Sequence, residues 1–174
     1  MRKALDLLYR GSGALAALCL AMIAVTIVAQ VIGRVIGVTI DSTESGGFFL
    51  AGTTFLGMAY TLKTGGHVRV SLLVGRLRGR AAWLAEAWIS LFGTFACGFA
   101  SWQTWEMVHD SWRFGDLSPG LLAIPVWIPQ SAMLAGLVLL AVAMADELAL
   151  VLAGRRPGFA APAETALDAP EPAE

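Results

Sequence analysis

The chain has 174 residues, of which 57% are hydrophobic and 14% charged, and its net charge is −1. A typical soluble domain carries about 25% charged residues, and the mean hydropathy of +0.69 marks more apolar surface than a soluble chain of this size could cover. The near-neutral charge excludes the basic footprint of a nucleic-acid binder.

Lipid can solvate such a chain, provided that backbone groups are satisfied within helices or a closed barrel. The apolar runs are long and unbroken and lack the short alternation of barrel strands, so the spans are read as helices.

The N-terminus opens Met1-Arg2-Lys3, with Arg10 following, and an uncharged run then leads from Ala14 to Gly33 and stops at Arg34. It is longer than the apolar core of a signal peptide, about 7–15 residues, and is read as a retained first helix. A polar turn over 35–45 follows. In it Asp41 and Glu44 have the spacing of a capping box at the start of a second helix, which ends at Lys63. Gly65 and Gly66 then supply a turn. From Val68 to Arg80 apolar residues mix with Arg69, Arg76, Arg78 and Arg80. This stretch is too charged to cross and suits an amphipathic segment lying on the membrane surface. A third helix takes in Ala82 to Trp105, with Glu86 as its internal charge; residues 106–118 are polar, and Pro119, Pro125 and Pro129 mark the approach to a fourth helix. The tail from Pro157 to Glu174 is Pro, Ala and acid, a composition that stays disordered.

The resulting expectation is an all-α membrane protein with four transmembrane helices at about 14–34, 46–63, 82–105 and 127–148, an interfacial helix at 68–80 and a disordered tail at 157–174. Lys and Arg near a membrane select the cytoplasmic side. Arg2, Lys3, Arg10, Lys63, Arg69, Arg76, Arg78, Arg80, Arg155 and Arg156 fall on one side of such a topology, and only Arg34 and Arg113 on the other. Both termini are therefore expected in the cytoplasm. Trp102, Trp105, Trp112 and Trp127 form an aromatic belt at the outer boundary.

Little in the chain suggests chemistry. His67 and His109 both lie outside the spans, which excludes a haem held by paired axial histidines. Three converging zinc ligands are also wanting. Cys19 and Cys97 sit at different depths and read as packing residues. No catalytic residue, cofactor or metal site is assigned. For ion coupling the spans offer Gln30 and Glu86 but no carboxylate at mid-depth, so the chain is not expected to carry a substrate alone. Small residues at four-residue spacing, Gly93-Cys97-Ser101, Ala17-Ala21 and Gly47-Ala51, offer flat faces for packing within the chain or against a partner.

Several segments match one family. Gln30-Val31-Ile32-Gly33-Arg34 closes the first helix, Glu44 precedes the second, and the second runs Phe55-Leu56-Gly57-Met58-Ala59 into Lys63 and then Gly65-Gly66-His67-Val68-Arg69-Val70. Ser118-Pro119 and Ile124-Pro125-Val126-Trp127 lead into the fourth. In these the chain resembles the small membrane subunit of tripartite ATP-independent periplasmic (TRAP) transporters. The family commonly has a tryptophan and a second acid beside the glutamate, where this chain has Ile40, Thr43 and Ser45, and often an aspartate where it has Ser71.

The resemblance implies a bacterial inner-membrane scaffold that braces a large permease subunit for sodium-coupled uptake of organic acids, delivered by a periplasmic binding protein. Arg34, Glu44, Lys63, His67 and Arg69 are the candidate contacts with partner subunits or membrane lipids. Anchoring, topology setting and a helix N-terminal charge also account for several of them. The competing readings are a self-sufficient homo-oligomeric transporter and a membrane anchor for another protein.

Overall fold

The computed structural model describes residues 2–38, 42–64, 80–120 and 122–154. Within them the chain forms four helices: α1 (Arg2–Ile36), α2 (Thr43–Lys63), α3 (Arg80–Phe114) and α4 (Trp127–Leu152). α1, α3 and α4 are long and apolar enough to cross a membrane. At 35 residues each, α1 and α3 are about 52 Å long at 1.5 Å per residue, well beyond a hydrocarbon core of about 30 Å.

The helices outrun the sequence reading at nearly every end. α1 continues back through Arg10 to Arg2, and α3 continues through the polar residues 106–114, because a run already helical extends at little cost once it is nucleated. α1, α3 and α4 each give way to a glycine of positive φ: Gly37 (+77°), Gly115 (+68°) and Gly154 (+69°). Such a left-handed residue ends a helix without a Cβ clash. The proposed cap at Gly65-Gly66, the interfacial segment and the tail lie outside the described residues.

The helices stand in a row, in the order α1, α2, α4, α3, rather than around one shared core. Each edge helix packs closely on one neighbour only. α1 turns Tyr9, Ser12, Ala16 and Gly33 inward at helical spacing. Against α2 it places Ala16 by Gly57 and the Cys19 thiol by Gly52. The Thr53 hydroxyl donates across the gap to the Ala16 carbonyl at 3.3 Å.

The α2–α4 crossing is closest at Gly136, where a Cβ would run into the backbone of Phe55 and Leu56. Only glycine permits that approach. On α3, Ser90 and Thr104 are buried and Gly93 and Cys97 half-buried, with Gly93 seated against Met144 of α4. The Trp83 indole N–H donates to the Val151 carbonyl at 2.9 Å, which also accepts from the Gly154 N–H at 3.1 Å as α4 ends. Of the small pairs, Ala17 and Ala21 are both exposed.

Much apolar surface stays open. Trp88, Phe92, Phe95, Phe99 and Trp102 are each more than half exposed along α3. An apolar groove of about 1120 Å³ runs between the edge helices, walled by Leu7, Leu15, Gly98 and Trp102 and floored by Leu56 and Leu139. In water such patches would drive association; in a membrane they meet lipid or another apolar chain.

Candidate functional site

The polar groups that the fold gathers lie at the two ends of α2. At its N-terminal end the Glu44 carboxylate accepts from the Ser118 hydroxyl and from the Leu122 backbone N–H at 3.1 Å. Ser118 is buried and in turn accepts from the Ile124 N–H at 3.1 Å. Segment 115–126 is shaped to make this grip. Ser118 N–H bonds the Ile124 carbonyl at 2.9 Å and Val126 N–H the Asp116 carbonyl at 3.0 Å. Between them Ala123 holds a positive φ of +45°, a conformation costing a non-glycine residue about 1–3 kcal/mol. Beside this clasp, the buried Ser42 hydroxyl donates to Gln30 Oε1, tying the end of α1 to the start of α2.

The sequence reading gave Glu44 to a capping box with Asp41, a residue outside those described. In the structure Ser42 is the N-cap residue, without a side-chain cap bond, and the Glu44 carboxylate is spent on the distant loop. Glu44 still sits in the first turn of α2, where a negative charge is favoured.

At the C-terminal end of α2, Lys63 Nζ donates to Asp146 Oδ2 at 2.8 Å and to Glu147 Oε1 at 3.1 Å. The Glu147 side chain is fully buried, Asp146 is 26% exposed and Lys63 21%. The ammonium also lies 5.6 Å from the centre of the Tyr9 ring, within the range of a cation–π contact. Tyr9 packs on Ala59, Leu62 and Ala143. One cation is thus shared between two carboxylates of α4 and an aromatic face of α1, which joins three helices at one level.

This node corrects the inventory of groups that the spans offer for ion coupling, which named Gln30 and Glu86 alone. Asp146 and Glu147 lie within α4, six and five residues before its end at Leu152. Their acidity at a boundary otherwise rich in Lys and Arg was the available signal, since topology explains a base there but not an acid.

Of the other candidate contacts, Arg34 is exposed on the last turn of α1. It is not brought to Glu44. His67 and Arg69 lie outside the described residues. Among the described residues, no three His, Cys, Asp or Glu side chains converge as metal ligands.

Of the residues in these contacts, Gln30, Glu44, Leu56, Ala59, Lys63 and Ser118 lie in segments that carried the resemblance, whereas Tyr9, Asp146 and Glu147 do not. The family model for the DctQ component of tripartite ATP-independent periplasmic transporters matches residues 22–154, a stretch taking in α2, α3, α4 and the C-terminal part of α1. The chain belongs to this family. It is a transporter component of the inner membrane and not an enzyme. DctQ components work with a large DctM permease and a periplasmic binding protein. No curated protein and no solved structure matches the chain.

Proposed function

We propose that this DctQ component acts as a static brace for its large permease partner during sodium-coupled uptake of organic acids. The observation that carries the reading is the fastening of α2 to its neighbours at both ends, by Glu44 to Ser118 and Leu122 and by Lys63 to Asp146 and Glu147. A part that must hold still while its partner moves gains from closed polar contacts at each end of its central helices. The open apolar faces of the row suit a subunit that gives its surface to a larger assembly.

In this reading α2 is the fourth span. Its composition is diluted by Thr43, Glu44, Ser45, Thr53, Thr54 and Thr61, so it does not stand among the helices apolar enough to cross unaided. Its 21 residues nevertheless match the hydrocarbon thickness, and α1 and α4 flank it on both sides. Four crossings put both termini in the cytoplasm, in line with the basic residues gathered there. Glu44 and Lys63 serve the interior of the chain first. Arg34, His67 and Arg69 are left as contacts for partner subunits or anionic lipid.

The two carboxylates of α4 bear on the alternative of a self-sufficient transporter, since an acid in a span can carry an ion. Lys63 already engages both, which favours a structural role. The deciding experiment measures organic-acid uptake in cells lacking this chain but keeping the large permease and the binding protein. Loss of uptake, restored by the wild-type chain, is expected. Normal uptake without the chain would overturn the brace, and solute flux through the chain alone in liposomes would turn the case to the self-sufficient transporter.

A further inference from the structure

The groove between the edge helices contains glycines that packing within the chain does not account for. Inside a helix, glycine is less stable than alanine. Gly13, Gly52, Gly57, Gly93 and Gly136 each stand where a neighbouring helix comes within 4 Å of the place a Cβ would take, and so they mark the crossings of the row. Gly11 of α1 and Gly98 of α3 also lie well inside their helices. Nothing comes within 4 Å of their Cβ positions, and both line the groove.

The groove has the size and chemistry for a helix. Its volume of about 1120 Å³ is that of a helix about 10 Å across over about 14 Å, or about two and a half turns. No charged side chain lines it. The hydroxyls of Ser12, Ser101 and Ser131 on its walls donate to carbonyls of their own helices, which leaves them no proton to offer a lipid headgroup. An acyl chain moulds itself to any apolar wall and gives glycine no advantage over alanine. A helix approaches closely only where Cβ atoms are missing. A second copy of this chain would have to lay one of its own helices in the groove, a heterologous contact that goes on adding copies unless a ring closes. The large permease with which DctQ components work meets no such condition.

We propose that the groove seats one apolar transmembrane helix of the large permease. Its backbone is drawn in at Gly11 and Gly98, and Leu15 and Trp102 pack against its flanks. The seat rests on the family partnership and not on the brace reading or on sodium coupling.

Co-expression of the tagged chain with the large permease, followed by purification in mild detergent, tests the seat. Gly11→Leu combined with Gly98→Leu fills both notches with side chains for which the chain alone has room. The melting temperature of the double variant purified alone is expected to equal or exceed that of the wild type. The large permease recovered with it is expected to fall by an order of magnitude or more. Ala17→Leu, exposed on α1 and away from the groove lining, should retain the permease. Recovery of the permease by the double variant at the wild-type level would overturn the seat. A second readout leaves both glycines in place: Leu15 is replaced by photoreactive benzoylphenylalanine and the cells' membranes are irradiated. An adduct with the large permease is expected, and it should be missing from cells that lack the permease. Adducts with lipid alone, or with a second copy of this chain alone, would overturn the seat as well. Neither readout measures uptake, so the seat and the brace fail separately.

Discussion

The two ends of α2 solve one problem with opposite materials. At the Glu44 end an acid is held by neutral donors, a hydroxyl and a backbone N–H, and the loop that presents them bends through a strained residue to do so. At the Lys63 end a base is held by two acids on an unstrained helix. The first fastening is bound to loop geometry, because the Leu122 N–H is in place only if the backbone from Asp116 to Val126 is. The second is bound to charge, because both carboxylates ride on a rigid helix and any positive group of the right reach would suit them. Breaking the two should therefore look different.

The largest effect should come from a change that disturbs both ends together. Gly136→Val forces α2 off α4 at their closest point, and overpacking of this kind costs about 1–3 kcal/mol or more. Little folded chain should survive purification in mild detergent, and recovery of a monodisperse wild-type yield would show that the crossing is looser than described. Next comes the charged end. Lys63→Met leaves the fully buried Glu147 facing Asp146 without their shared cation, a loss of about 3–5 kcal/mol for a broken buried pair. Thermal unfolding should show it, and the exchange Lys63→Glu with Glu147→Lys should recover part. If the exchange recovers nothing, the node depends on shape rather than on charge.

The neutral end should cost less. Glu44→Ala leaves the Ser118 hydroxyl and the Leu122 N–H without their acceptor, worth about 1.5–3 kcal/mol for bonds to a charged group. Its signature should be local, with faster proteolysis or amide exchange in segment 115–126 and little change around Lys63. Equal loosening at both ends would mean that the fastenings are not independent. The smallest effect should run the other way: Ala123→Gly removes the penalty of a positive φ, with a gain of about 0.5–1 kcal/mol offset in part by the greater freedom of glycine when unfolded. A fall in melting temperature would mean that the Ala123 methyl group packs in a way that outweighs the strain.

Three of the four helices were plain in the sequence because an apolar run of sufficient length needs no partner to declare itself. α2 was placed by its flanks, Glu44 and Lys63, and by its resemblance to the family, while its own composition is the weakest of the four. Lys63 was singled out, but as a group facing outward to lipid or to another subunit. Its two carboxylates are 83 and 84 residues away and were passed over at the end of an apolar stretch. Glu44 was read into the nearest local pattern, a capping box, although its partners lie 74 and 78 residues on.

The division follows from the range of the interactions. Hydropathy, charge bias and glycine placement act within a turn or across a span, so the sequence alone determined that the chain is helical, that it belongs in a membrane and, through its motifs, which transporter family it resembles. The order of the helices in the row, the close crossing at Gly136 and the choice of partners for Glu44 and Lys63 were decided only by the tertiary structure. Those contacts join residues far apart in the chain, and a buried charge or hydroxyl must take whatever partner packing brings within reach.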